Sequence, residues 1–213
     1  MNRFFPAALA LVLTFPLAAE SLTYRETSQG KTTKEIVTIT RIDEAGLSWE
    51  VAVGKDSTNR MGKTAAGVMM AVEVVAPDGQ WALKNEGDAL KASGTYQGKA
   101  VTGSLVLKGR FWTLGFDQPL KWAVTHKLTS PMTFLMVNPI AVSQPTEMVL
   151  IPDGKDTVEG KPALRYKISL SGAMALFWGA MIWADPVTGD ELQYKGNKGP
   201  GTPDMVLVID RNP

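Results

Sequence analysis

Four stretches of this chain are apolar along almost their whole length yet far too short to cross a bilayer: Val68–Val75, Phe134–Val137, Leu176–Trp183 and Met205–Ile209. They lie among segments whose side chains alternate with a period of two. Leu47-Ser48-Trp49-Glu50-Val51-Ala52-Val53 sets Leu, Trp and two Val on one face, and Leu164-Arg165-Tyr166-Lys167-Ile168-Ser169-Leu170-Ser171 alternates over eight residues. Alternation of this kind means strands with one wet face. A flat sheet with one wet face has no use for strands that are apolar on both. A second cover is therefore required, from a helix, a curl of the sheet itself, or a ligand.

The punctuation between these runs is turn chemistry. Ser28-Gln29-Gly30-Lys31, Asp43-Glu44-Ala45-Gly46, Pro77-Asp78-Gly79, Tyr96-Gln97-Gly98-Lys99 and Asp185-Pro186-Val187-Thr188-Gly189-Asp190 each separate two strands. Glycine supplies a positive φ and proline presets the bend. The expected order is an antiparallel meander with short connections. One segment departs from the period of two: Leu120, Val124 and Leu128 recur at helical spacing after Pro119. A short helix is expected there, with Pro119 in its first position, Asp117 or Gln118 at the cap, and its end before Pro131. The 213 residues, 45% apolar and 20% charged, suffice for one domain with a core that needs no staples.

The amino terminus reads as a cleavable signal peptide over residues 1–19. Arg3 precedes the apolar run Phe4–Leu17, and Leu17-Ala18-Ala19 supplies the small residues before Glu20. The expected mature domain is residues 20–213, periplasmic or secreted. The chain has no cysteine, so it has no lipid-attachment cysteine, disulfide, cysteine-ligated zinc or thiol chemistry. Loss of Arg3 leaves 21 basic residues (22 less one) against 21 acidic, so the mature charge is about zero. No long-range field then draws nucleic acid or an anionic membrane.

A search for chemistry finds no catalytic set. His126 is the only histidine, too few for a histidine metal site, and reads as a surface residue. Gly62-Lys63-Thr64 lacks the glycine that a phosphate loop places five positions earlier, where Ser57 stands. Asp153-Gly154-Lys155-Asp156-Thr157-Val158-Glu159 carries three carboxylates but not the spacing of a calcium loop, and is expected to be a solvated turn before Gly160. No Gly-x-Ser-x-Gly elbow occurs, and no metal or cofactor is expected.

Aromatic and methionine side chains gather in the later strands. Trp112, Phe134, Met136, Trp178 and Trp183 are the candidates to line a pocket for an apolar ligand. The plainer reading of each is a core residue.

Residues 145–210 carry a resemblance. Gly160-Lys161-Pro162-Ala163-Leu164-Arg165-Tyr166-Lys167-Ile168, Phe177-Trp178, the hairpin Trp183-Ala184-Asp185-Pro186-Val187-Thr188-Gly189 and the loop Gly199-Pro200-Gly201-Thr202-Pro203 resemble a group of exported bacterial proteins. These are distantly similar to the LolA/LolB-like lipoprotein-carrier superfamily. The resemblance implies a single, strongly curved antiparallel sheet, an incomplete barrel, with one or two short helices against its concave face. It also implies a non-catalytic carrier of an apolar ligand or a lipidated partner. An envelope structural or protein-interaction domain is the alternative, and a hydrolase with dispersed carboxylates a third.

Overall fold

A computed structural model of the protein describes residues 19–44, 46–64, 68–197 and 202–212. The signal-peptide reading falls, apart from Ala19, outside the described residues. The strands run in chain order as β1 (Glu20–Ser28), β2 (Lys31–Glu44), β3 (Leu47–Val53), β4 (Thr58–Lys63), β5 (Met69–Ala76), β6 (Gly79–Glu86), β7 (Ala89–Tyr96), β8 (Lys99–Ala100), β9 (Gly103–Val106) and β10 (Trp112–Thr113). The helix α1 (Asp117–Thr125) follows. Then come β11 (Met132–Met136), β12 (Thr146–Val158), β13 (Lys161–Leu170), β14 (Gly179–Ala184), β15 (Glu191–Asn197) and β16 (Asp204–Asn212).

All the strands belong to one sheet, ordered β10-β11-β12-β13-β14-β15-β16-β1-β2-β3-β4-β5-β6-β7-β8, with β9 beside β7. Every pairing is antiparallel except β10 with β11. The first and last of the described strands meet in the middle of this strip, where β1 pairs with β16 from Ser21↔Asn212 to Ser28↔Met205.

A twisted strip of this width cannot stay flat, since open sheets beyond about 10 strands curl or split. The burial pattern shows how this one curls. Phe134 packs into a core with Met148, Leu150, Ile168 and Ile182. Its neighbours Leu135 and Val137, which point the other way along β11, pack with Val72, Leu83 and Leu90 of β5, β6 and β7. Following the register from strand to strand, Val72 and Leu83 lie on the same face of the sheet as Phe134. The outer face of the β11 edge therefore rests on the inner face of the opposite end. The strip rolls past itself and overlaps instead of closing, so β11 is apolar on both sides because it is covered on both sides.

Helix α1 lies in the concavity. Leu120 and Ala123 are fully buried against the Phe134 core. The helix starts two residues earlier than expected: Phe116 is the cap and Pro119 the third helical residue, still within the first turn where its missing N–H costs nothing. The Asp117 carboxylate accepts from Gln118 Nε2 at 2.7 Å instead of capping. The helix ends at Thr125, and Leu128 N–H donates to Ala123 O just beyond it.

Three further expectations are corrected. The segment Asp153–Glu159 is not a solvated turn: β12 continues to Val158 through an irregularity between Pro152 and Lys155, where Gly154 takes φ +104°. Leu176 and Phe177 are not strand residues. They belong to a 3-10 turn, Gly172–Leu176, and its cap, opened by Gly172 at φ +58°, so β14 begins only at Gly179. In β5, Val75 is exposed, because the outer cover there ends at Ala71 beside Trp49 and Gly62.

Among the described residues no helix is long and apolar enough to cross a membrane.

Candidate functional site

The outer, convex face of the carboxy-terminal strands carries a groove of about 770 Å³. Its floor follows from strand register. Lys167 on β13 stands opposite Met181 on β14, Met181 opposite Lys195 on β15, Lys195 opposite Val206 on β16, and Val206 opposite Thr27 on β1. One pleat further along, Arg165 stands opposite Trp183. One pleat the other way, Gly179 contributes no side chain and leaves the floor open. Beyond it rises the 3-10 turn, which carries Leu176 (90% exposed) and Phe177 (67% exposed) as an apolar lip.

The polar atoms of the two indoles are satisfied within the protein. Trp183 Nε1 donates to Asp156 Oδ2 at 3.0 Å, and Trp178 Nε1 donates to Asn197 O at 3.2 Å. Both rings are largely buried, and neither leaves its N–H without an acceptor. The Tyr194 hydroxyl also donates to Asn197 O, and burial, aided by Glu191 and Asp204, pushes its pKa up to about 12.

The charges of the groove are of two kinds. Arg165 is spent on neighbours: Nε to Asp153 Oδ2 at 2.7 Å and Nη1 to Asp156 Oδ2 at 3.2 Å. The Asp153 carboxylate holds the guanidinium pKa above its ordinary value. The Trp183 indole, the Thr157 N–H and Arg165 hold the Asp156 carboxyl below the ordinary range. Lys167 and Lys195 are exposed and, among the described residues, have no carboxylate partner. A further groove of about 430 Å³, mostly apolar, lies between the β5–β6 end and Trp112, Trp122 and Met132.

The five residues expected to line a pocket are thus distributed. Trp178 and Trp183 meet in the outer groove. Trp178 also packs inward, stacked at 6.3 Å from Phe116, while Trp183 sits on the outer face with Val158, Ala163 and Leu192. Phe134 (1% exposed) is in the concave core, and Met136 is partly buried against it. Trp112 belongs to the other core and borders the smaller groove. Sequence reasoning missed Lys167, Lys195 and the lip. Lys167 was visible as a wet-face residue, but its alignment with Lys195 across Met181 depends on the exact register of two successive hairpins. His126 is on the surface, stacked at 4.2 Å on Trp122. Among the described residues no group of three or more His, Asp or Glu could hold a metal ion.

No protein-family model and no curated protein matches the chain in sequence. Among solved structures, it is similar to a β-barrel-like protein of a domain of unknown function, DUF1849, from Brucella abortus. That match has 8% identity and a TM-score of 0.56, covering 94% of this chain and 99% of the other. This likeness defines the class by fold: a rolled, barrel-like sheet. More distant neighbours include the hypothetical lipoprotein YmcC from Escherichia coli (13% identity, TM-score 0.34, covering 91% of this chain and 84% of that one). Another is the LolA superfamily protein NE2245 from Nitrosomonas europaea (7% identity, TM-score 0.23, covering 92% and 83%). The fold assignment rests on the likeness to the Brucella abortus protein.

Proposed function

We propose that the protein is an exported, non-catalytic binding protein of the cell envelope that holds an apolar, lipid-like ligand or the lipid of a lipidated partner in the outer groove. The observation that carries this reading is the pairing of a floor in which Met181, Val206 and Trp183 lie beside Lys167 and Lys195 with a solvent-exposed apolar lip. Single exposed apolar residues are ordinary, but Leu176 and Phe177 border a concavity whose size falls in the roughly 300–1,000 Å³ range of ligand sites. Trp178 and Trp183 border the groove, Phe134 and Met136 belong to the core beneath β13 and β14, and Trp112 lies in the other core. The LolA-like resemblance agrees in kind, though those carriers are expected to use the concave side, which here is filled by α1.

Lipid extraction and native mass spectrometry of the purified protein, followed by titration with a fluorescent fatty acid below its micellar concentration, test the reading. Saturable one-to-one binding, weakened at least tenfold by Leu176→Ser with Phe177→Ser, is expected. Absence of any bound lipid and of any saturable binding overturns it. A stoichiometric protein partner captured through the same lip, without lipid, would instead favour the envelope interaction domain.

A further inference from the structure

We infer that the groove selects an anionic single-chain amphiphile, its headgroup held between Lys167 and Lys195 and its chain running under the Leu176–Phe177 lip. The inference rests on the binding reading above and adds the chemical class of the ligand. Lys167 and Lys195 flank Met181 on the two neighbouring strands. Strands lie about 4.8 Å apart, so the two Cα atoms are separated by roughly 10 Å. Two flexible lysine stems of equal length on either side of one thioether can bring both ammonium groups over it, onto one carboxylate or phosphate. Lysine acts here as a point charge rather than a planar fork, so the site needs an anion but no fixed orientation of it.

Three features of the surroundings give this row its direction. Arg165, the other cation of the groove, is engaged by Asp153 and Asp156 and contributes little free charge. Asp204 is the one carboxylate lining the groove, and it sits one pleat from the lysine row, opposite Asn197. Between that row and the lip, Gly179 leaves a trough in the floor, bounded by Phe177 and Trp178. A headgroup over Met181 therefore has the Gly179 trough leading from it toward the Leu176–Phe177 lip, with Asn197 and Asp204 along the β15–β16 side of that trough, whereas toward Trp183 the Arg165–Asp156 pair begins. The near-zero net charge argues for one bound molecule rather than a bilayer, since attraction to a charged surface draws on the field of the whole protein and this site offers only a local pair.

The test is calorimetric or fluorescence titration of the purified protein with four submicellar probes of matched chain length. Palmitate and palmitoyl lysophosphatidate are anionic; hexadecanol and palmitoyl lysophosphatidylcholine carry no net charge. The wild type is expected to bind at least one anionic probe about tenfold more tightly than the uncharged ones, and which one binds tighter tells a carboxylate site from a phosphate site. In Lys167→Gln/Lys195→Gln the preference should vanish while the uncharged probes bind as before and the circular dichroism spectrum is unchanged. Equal affinity for charged and uncharged probes, or a preference that survives the double substitution, overturns the headgroup assignment and leaves the carrier reading intact. Binding only to vesicles containing phosphatidylglycerol overturns it in favour of a membrane-docking face. Failure of all four probes overturns the carrier reading itself.

Discussion

A Cβ placed on Gly189 would stand 2.6 Å from the Cα of Lys121. The β14–β15 turn, in which Gly189 takes φ +72°, is therefore in contact with the backbone of α1, and the two meet at the mouth of the roll. Gly189→Ala forces both a left-handed conformation on alanine and a backbone shift. A loss of about 2–4 kcal/mol is expected from strain and overpacking together, read as a lower urea midpoint at unchanged slope.

The same mouth carries an ion network. Lys121 Nζ lies 3.0 Å from Asp190 and 3.8 Å from Glu50, and Lys63 reaches Glu50 at 3.1 Å. Burial pushes the Glu50 carboxyl up, but Lys121 and Lys63 outweigh it and hold the group below its ordinary value. Burial likewise depresses Lys121, and Glu50, Asp117 and Asp190 outweigh that and raise it. A depressed carboxyl adds stability that is fully present above the unfolded value of about 4.3 and is lost as pH falls through the folded one. A raised lysine adds stability that is present below about 10.4 and is lost as pH rises through the folded value. Thermal melts should show a plateau between these limits and a decline on either side. In Lys121→Met the acid-side decline should be shallower, because Glu50 has lost one of the two lysines that hold its carboxyl below the ordinary value.

Phe134→Ala should cost about 3–5 kcal/mol, the usual penalty for emptying a fully enclosed aromatic site. Met136→Ala, at a half-buried position on the same strand, should cost distinctly less. Chemical denaturation of the two variants checks the order. A similar small loss for both would mean that the Phe134 core is looser than its burial implies.

Leu176→Ser and Phe177→Ser should leave stability within about 0.5 kcal/mol, because side chains this exposed have little packing to lose. The same substitutions should weaken lipid binding. Calorimetric unfolding beside ligand titration separates the two effects. A large loss of stability would make the lip a structural element and not a contact surface.

Much of the fold was legible in the chain. The period of two around Trp49 and Tyr166, the glycine and proline turns, and the helical spacing of Leu120 and Val124 are local signals, and local geometry obeys them. The double-sided apolar runs also announced that a second layer of cover was needed. They did not say which cover served which strand. For β11 it is the far end of the same sheet; for β14 it is α1 and its core on the inner side, with Val158, Ala163 and Leu192 on the outer.

The amino-acid sequence by itself thus determined most of the strands and turns and the place of the helix, because each depends on neighbours a few residues apart, and its composition settled the lack of cysteine chemistry. The tertiary structure alone decided the roll of the sheet, the placing of Trp183 outside and Phe134 inside, and the row Lys167–Met181–Lys195. These depend on register between strands and, for the roll, on contacts between segments dozens of residues apart. A shift of one residue in that register turns every side chain to the opposite face, and local sequence does not encode it.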